Sequence, residues 1–249
     1  MFHRQRVRES RVCGRDRYLR HVGTYGSGPG KIAPDGCAVE LYTLLVQAPE
    51  APLLASLVPP HGSVLDLGTG AGRLAHRLAD LGFEVTAVDA SLDMLARVGP
   101  GITRVHSAIE SLEVGRRFDL VLLASHLVNT NDDDQRRAFL TCCRRHVKAS
   151  GAVAVQRHPV GWFDSISGPV GPSAMPEGLL FELCDVSRPN DDVLSATAVY
   201  ADGARRWTHT FTTRRLDDEQ LRTELAAADL RLSRFLDKES TWALAIPAA

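Results

Sequence analysis

The sequence lacks any long hydrophobic run, which limits the classes of protein that it can encode. No apolar stretch approaches the roughly 18 residues that a membrane-spanning helix requires. The first 20 residues are polar and lack the apolar segment of a secretory signal. Hydrophobic residues make up 44% of the 249 positions and charged residues 24%, as in ordinary soluble domains. We therefore expect a cytoplasmic chain that forms one α/β domain with at most a modest elaboration, and no membrane partner.

Cysteine is scarce and shows no pairing pattern. The chain has 5 cysteines, an odd number, and no C-x-x-C motif, so neither a disulfide framework nor a cysteine zinc site is predicted. The 9 histidines show no spacing typical of metal ligands. Three consecutive aspartates at 132–134 are better explained as charge at a helix N-terminus than as a magnesium site. We expect no metal.

Lysine is rare and net charge is almost absent. The chain has 3 lysines against 26 arginines, and its formal net charge is −1. A near-zero charge argues against a broad nucleic-acid surface, so no nucleic-acid partner is expected. The one basic concentration lies in the first 20 residues, ahead of a glycine-rich stretch at 23–30. We expect residues 1–33 to form a flexible basic N-terminal arm and residues 34–249 to form the folded domain.

Strand-like apolar runs alternate with helical patterns along the first part of this domain. The runs lie at 63–67, 83–88, 102–106, 118–124 and 152–156. This alternation is typical of βαβ units, whose right-handed connections place helices on both faces of a parallel sheet. Two more candidates near 230–236 and 241–246 complete the prediction. It is an α/β fold with a doubly wound, mostly parallel seven-stranded sheet.

The pattern changes after Pro159. Residues 160–178 are rich in Gly, Pro and Ser and are predicted to form a loop. Three strand-like runs follow, at 179–186, 193–200 and 204–212. The Asp202-Gly203 pair before the last run is a strong hairpin signal. We predict that residues 160–213 form an antiparallel insertion after strand five that covers a substrate pocket.

The segment Val64-Leu65-Asp66-Leu67-Gly68-Thr69-Gly70-Ala71-Gly72 carries the strongest functional signal. It runs from a strand through three glycines into a helix, and glycines let a ligand approach the backbone closely. Asp89 ends the next strand, where a carboxylate can accept both hydroxyls of a ribose. A dinucleotide site would need its third glycine at position 73, which is Arg73. The carboxylate of Asp66 also favours a cationic ligand group and repels a pyrophosphate.

This segment resembles the first signature of class I, Rossmann-like S-adenosylmethionine-dependent methyltransferases. The resemblance covers about residues 35–158 and the C-terminal hairpin, and it implies S-adenosylmethionine as cofactor and S-adenosylhomocysteine as product. Phe118-Asp119-Leu120-Val121 resembles the fourth strand of that family. The resemblance to this family implies that the glycine turn faces the methionine part of the cofactor, that Asp89 binds the ribose and that Met94 packs near the adenine. The implied cofactor-binding residues are Tyr25, Asp66, Gly68, Thr69, Gly70, Gly72, Asp89, Ala90, Met94, Ala108, Ile109 and Ser125.

One position departs from the family pattern. Many members carry an aspartate after the third strand that binds the adenine amino group, whereas this chain has Ala108 there. We expect the contact to come instead from the backbone, from Ser107 or from water. The loss of one hydrogen bond costs about 0.5–1.5 kcal/mol, which does not remove the site.

Two segments follow the fourth and fifth strands, and ligands of open α/β sheets lie beyond these strand ends. His126 and His158 are the candidate catalytic residues, as bases or as orienting groups, because a neutral imidazole accepts a proton near pH 7. Asn129 and Arg157 lie beside them and are predicted to bind substrate. Tyr42 and Trp207 are further substrate-binding candidates, and Tyr25 and Tyr42 are candidates for a lid.

The acceptor is predicted to be a small molecule, methylated at N, O or C. The N-P-P-Y-like sequence of nucleobase amine methyltransferases is absent after strand four, and the insertion offers Phe181, Tyr200, Trp207 and Phe211 for a pocket. The arrangement is similar to bacterial methyltransferases of specialised metabolism, and we expect the chain to be a monomer or homodimer. Three alternatives stay open: a cyclase or lyase that consumes the cofactor, a non-catalytic cofactor-binding partner or sensor, and an RNA-directed enzyme that uses the arginine-rich arm.

Overall fold

The computed structural model describes residues 25–248. The first 24 residues of the predicted arm lie outside the described residues. The strands are β1 (Tyr25–Ser27), β2 (Ser63–Leu67), β3 (Glu84–Asp89), β4 (Thr103–His106), β5 (Phe118–Leu123), β6 (Val147–Gln156), β7 (Val170–Ala174), β8 (Leu180–Asn190), β9 (Val193–Ala201), β10 (Arg206–Arg214), β11 (Leu230–Phe235) and β12 (Trp242–Pro247). The helices are α1 (Val39–Leu44), α2 (Ala51–Ala55), α3 (Arg73–Asp80), α4 (Leu92–Leu95), α5 (Asp133–His146), α6 (Val160–Ser165) and α7 (Asp218–Ala227), with a 3-10 turn at Leu127–Asn129. None of the helices in this range has the length and apolar character to cross a bilayer.

The larger sheet has seven strands in the order β11-β12-β6-β5-β2-β3-β4. The strands from β6 to β4 are parallel, and β12 pairs antiparallel with both β6 and β11. Alternate residues of β2 belong to different apolar clusters: Leu65 and Leu67 pack in the cluster that includes α5 and α7, and Val64 packs in the one that includes α2 and α3. Because a strand presents successive side chains to opposite faces, this confirms helices on both faces of the sheet. The predicted doubly wound, mostly parallel sheet is confirmed.

The smaller sheet is antiparallel, in the order β1-β10-β9-β8-β7. Its three longest strands lie where the sequence predicts them, within residues 179–214. Its other two differ from the prediction. The predicted loop at 160–178 contains α6 and β7, and β7 pairs with β8 although it is exposed along its whole length. A fully exposed strand has no alternation of apolar and polar residues, so periodicity does not detect it.

Part of the segment that the sequence assigns to the arm belongs to the smaller sheet. Residues 25–27 form β1, which pairs with β10 in the register Tyr25 to Thr210. Pro29 accepts a hydrogen bond of 3.1 Å from Nε1 of the buried Trp207, which fixes the segment after β1 against the sheet. A three-residue strand among glycines has too few side chains to give a sequence signal. The folded part of the chain therefore includes residues that the sequence assigns to the arm.

Gly26 provides a test of how β1 is held. An added Cβ at Gly26 would lie 1.8 Å from the carbonyl oxygen of Gly36 and 2.9 Å from that of Thr208, and both neighbours are backbone. We expect Gly26→Ala to detach β1 and lower the free energy of unfolding by ~1–3 kcal/mol. Thermal denaturation and amide hydrogen exchange in β1 measure this. Gly161→Ala is the matched control because its Cβ has no neighbour within 4 Å; equal melting temperatures for the two variants would contradict the close approach.

Candidate active site

A cavity of about 870 Å³ lies where the carboxyl ends of the parallel strands face the smaller sheet. One wall is formed by the turns after β2, β3, β4 and β5, and the opposite wall by β8, β9 and β10. Open α/β sheets bind ligands at this end of their strands. This volume lies in the range of small-molecule sites, and the cavity places two chemically different walls face to face.

The glycine turn after β2 forms the floor of this cavity. Gly68 and Gly70 line it with φ of 67° and 58°, a left-handed conformation that favours glycine. A Cβ on Gly70 would lie 3.4 Å from the ring of Tyr42, so the turn at Gly70 packs close to α1. Gly72, with φ of 89°, is instead the N-cap residue of α3 and does not line the cavity. Of the three glycines, the first two are placed to contact a ligand.

Asp89 lies at the end of β3 and holds the turn in place. Its Oδ2 accepts a hydrogen bond of 2.8 Å from the backbone N–H of Gly70, and its Oδ1 accepts one of 2.8 Å from Ser91 N–H. Burial raises the pKa of this carboxyl, and the two N–H donors counteract part of that shift. The carboxylate lines the cavity and keeps lone pairs available for a ligand hydroxyl.

Asp66 lies beneath the turn and does not line the cavity. It is 2% exposed, and its Oδ2 accepts a hydrogen bond of 2.6 Å from Thr69 Oγ1. Burial raises its pKa to about 6, although the bond from Thr69 acts in the opposite direction. Asp66 and Thr69 therefore support the turn from behind. A negative charge on Asp66 would act electrostatically on a ligand on the other side of the turn.

The third part of this wall is apolar. Met94 is buried, and Ala90, Ala108 and Ile109 line the cavity beside it. Ser91 caps the N-terminus of α4 by accepting a hydrogen bond from Met94 N–H, which fixes the methionine over the cavity. A flat aromatic group fits between such side chains.

Two histidines and a tryptophan that line the cavity form a stack. The ring of His126 lies 3.9 Å from that of His158, which lies 4.2 Å from that of Trp162. Ser125 and His126 follow β5 with φ of 53° and 59°, and two consecutive non-glycine residues in this region are strained. The strained turn directs His126 into the cavity, beside Ser125, which also lines it.

Both histidines are neutral at pH 7. Burial lowers the pKa of His126 to about 4, and burial together with His126 lowers the pKa of His158 to about 2. Nδ1 of His126 is buried and has no hydrogen-bond partner within residues 25–248. An alkylammonium with a pKa of ~10 does not transfer its proton to a group with so low a pKa. The stack therefore suits an orienting, hydrogen-bond-accepting role better than that of a general base.

Asn129 connects this stack to the smaller sheet. Its Oδ1 accepts a hydrogen bond of 2.9 Å from His158 N–H, and its Nδ2 donates one of 2.8 Å to the carbonyl of Arg214. Asn129 lines the cavity, as Tyr42 does. Both ends of the Asn129 amide are therefore engaged within the chain, and this side chain positions His158.

Six predicted site residues do not line the cavity: Asp66, Thr69 and Gly72, described above, and Arg157, Trp207 and Tyr25. Arg157 is buried and donates to the carbonyls of Ser240 and Leu216, at 2.9 and 2.8 Å, and to Asp218. Trp207 lies on the same face of the smaller sheet as His209, but it is covered by Ala38 and Leu41. Tyr25 is 51% exposed on the edge strand. The prediction placed Arg157 by its strand end and Trp207 by its residue type, and neither signal shows what a side chain packs against.

The structure also adds residues that the sequence did not single out. Asp35, Trp162 and His209 line the cavity. Asp35 and Trp162 gave no sequence signal, because Asp35 precedes a short helix and Trp162 lies in the predicted loop. His209 could have been found, since it alternates with Trp207 and Phe211 along one strand.

Known proteins are similar to this chain in sequence and in fold. Residues 64–151 match the model of a family described as a methyltransferase domain. The cypemycin N-terminal methyltransferase of Streptomyces sp is 35% identical over 130 residues, which is 47% of this chain and 53% of that protein. The chain thus spans about half the length of the curated relative that it matches.

Solved structures show the same fold. The CcbJ methyltransferase from Streptomyces caelestis aligns with a TM-score of 0.67 and 23% identity, over 80% of this chain and 88% of that one. The sugar N-methyltransferase KedS8 from Streptoalloteichus sp ATCC 53650 aligns with a TM-score of 0.67 and 15% identity, over 96% and 98%. The family match identifies a methyltransferase domain at residues 64–151, and the solved structures show that the chain shares the fold of these methyltransferases.

Proposed function

We propose that the chain transfers a methyl group from S-adenosylmethionine to a nitrogen atom of a small molecule, in bacterial specialised metabolism. The observation that carries this proposal is the single cavity in which the glycine turn and Asp89 face an aromatic wall with neutral imidazoles. The name of the cypemycin relative supports nitrogen as the acceptor atom. A methyl acceptor needs proximity and alignment more than it needs acid–base chemistry, and the neutral stack suits that requirement.

The two walls would have different roles, one toward the cofactor and the other toward the acceptor. When bound, the cofactor would supply a methyl group on a positively charged sulfur, which becomes a neutral thioether after displacement. Asp89 would accept the ribose hydroxyls, Gly68 and Gly70 would lie against the amino acid part, and Met94 and Ile109 would enclose the adenine. Asn129 holds His158, and the stack of His158 with His126 fixes the imidazole acceptors opposite that site. The antiparallel wall would cover the acceptor.

Product analysis tests this proposal. The full chain is incubated with S-adenosylmethionine and a panel of amines that includes a peptide with a free N-terminus, an amino sugar and an arylalkylamine. The matched controls are the same compounds with hydroxyl in place of the amine. We expect S-adenosylhomocysteine to accumulate in step with an N-methylated product and not with the hydroxyl compounds. Methylthioadenosine without methylated product would contradict methyl transfer and favour the cyclase or lyase, and failure to bind S-adenosylhomocysteine in calorimetry would remove the cofactor site.

A further inference from the structure

The cavity is lined by negative charge without a compensating cation. Three of the lining residues are acidic, Asp35, Asp89 and Glu110, and no lysine or arginine within residues 25–248 lines the cavity. The three lining histidines do not offset this charge, because burial lowers the pKa of each of them. A cavity with this balance attracts cations and repels anions.

Asp35 is placed at the junction of the two walls. It lies in the turn between β1 and α1, where its Oδ1 accepts a hydrogen bond of 3.0 Å from Cys37 N–H and so fixes the carboxylate. Its backbone carbonyl lies 3.3 Å from Nε2 of His209, on the antiparallel wall. Its charge also raises the pKa of Asp89, on the opposite wall. Asp35 is therefore close enough to act on a ligand that lies between the two walls.

The wall beside Asp35 is rich in aromatic rings. Phe181 and Tyr200 pack at 5.2 Å between ring centres, and Phe211 lies 6.1 Å from the ring of His209. Trp162 closes the wall at the end of the histidine stack. Aromatic faces attract cations and also pack against apolar rings, so this surface suits a molecule that has both features.

An independent feature points to a polar group on the ligand. His126 lines the cavity, and its Nδ1 atom is buried and has no hydrogen-bond partner in the described part of the chain. A buried polar atom without a partner is costly, and a hydrogen-bonding group of the ligand would satisfy it. The carboxylate of Asp35 requires a hydrogen-bond donor, and this imidazole offers a second polar contact.

We propose that the acceptor binds as a protonated amine carried on an apolar or aromatic group, with the ammonium against Asp35 and the apolar group against Trp162, Phe181 and Phe211. This inference rests on the proposed function and specifies its substrate class. Before methylation the ammonium gives one proton to bulk water and keeps the electron pair on nitrogen. Asp35 determines which ligands enter, and it is a binding residue that takes no proton in this step.

Ligand binding to the full chain loaded with S-adenosylhomocysteine tests this proposal. The probes are 2-phenylethylamine, its neutral analogue 2-phenylethanol and the anionic 3-phenylpropionate, compared by saturation-transfer NMR titration. We expect the amine to bind about tenfold more tightly than the alcohol. Asp35→Asn should reduce that preference to about twofold, because its amide oxygen still accepts from Cys37 while the charge is gone. Added salt should weaken binding of the amine and not of the alcohol.

Asp191→Asn is the matched control, because Asp191 is exposed and does not line the cavity. It should keep the full preference for the amine and bind S-adenosylhomocysteine as the unmodified chain does. Equal binding of amine and alcohol, tighter binding of the anion, no binding of any probe, or an unchanged preference in Asp35→Asn would each overturn the inference. Failure of the unmodified chain to bind S-adenosylhomocysteine would instead overturn the proposed function, so the two failures are distinguishable.

Discussion

Replacing Asp89 by asparagine is expected to weaken binding of S-adenosylhomocysteine by about 100-fold. Both carboxylate oxygens accept backbone N–H groups, from Gly70 and from Ser91, so an amide placed there must turn its NH2 group toward one of these donors. The variant loses a charge-assisted hydrogen bond within the turn and weakens the contact proposed for the ribose. Hydrogen bonds to charged groups contribute ~1.5–3 kcal/mol each, and about 2.7 kcal/mol corresponds to two orders of magnitude in affinity. Isothermal titration calorimetry measures the change.

Asp93→Asn is the control for this prediction. Asp93 lies four residues further along the chain, but it is exposed and forms a surface ion pair of 2.5 Å with Lys31. Surface pairs of this kind contribute ~1 kcal/mol or less, and Asp93 does not line the cavity. We expect its affinity to stay within about twofold of the unmodified chain. Comparable affinities for Asp89→Asn and the unmodified chain would show that Asp89 does not organise the cofactor site.

Asp66→Asn is expected to stabilise the ligand-free protein above pH 6. The pKa of Asp66 is raised to about 6 in the folded state, against an ordinary value of 3.8, so folding favours the protonated form. Stability from this group is fully present below pH 3.8 and is lost as the pH rises through about 6. For so buried a carboxyl the loss is roughly 3 kcal/mol, or about 5–10 °C in melting temperature for a chain of this size. The asparagine variant, which has no charge to bury, avoids that loss.

Melting temperatures measured from pH 4 to pH 8 test this prediction. The difference between variant and unmodified chain should be small at pH 4, grow up to about pH 6 and then stay constant. The same variant should bind S-adenosylmethionine more weakly, because the positively charged sulfur no longer faces a buried carboxylate. Asp80→Asn is the control, since Asp80 is exposed on α3. If the difference in melting temperature did not change with pH, folding would not raise the pKa of Asp66, and the prediction would be wrong.

The sequence predicts the parts of this fold in which apolar residues recur with the period of a strand or a helix. The alternation of strands and helices predicts the seven-stranded sheet because each buried strand is a run of apolar residues bounded by turn residues, as in Leu120–Leu123. The glycine turn and Asp89 are also predictable, since their backbone geometry restricts which residues can stand there. Both lines of evidence are local in the sequence.

The rest of the site depends on contacts between distant segments. Arg157 and His158 are neighbours, yet one is turned into the protein by carbonyls of residues 216 and 240 and the other into the cavity by Asn129. Asp35 closely follows β1, and it reaches the cavity because β1 pairs with β10, which is far from both in sequence. No pattern within a window of sequence contains these pairings, so they appear only once the chain is folded.

The links between Asn129 and the antiparallel sheet determine how this cavity can vary. Asn129 bonds to β10 through Arg214, and Thr130 forms a strand bridge with Thr213. These contacts attach the antiparallel sheet to the segment that follows β5. The side chains of this sheet at 181, 200 and 211 line the cavity and can change in size without altering the glycine turn on its other side. The acceptor range of such a domain can diverge quickly while its methyl donor stays the same.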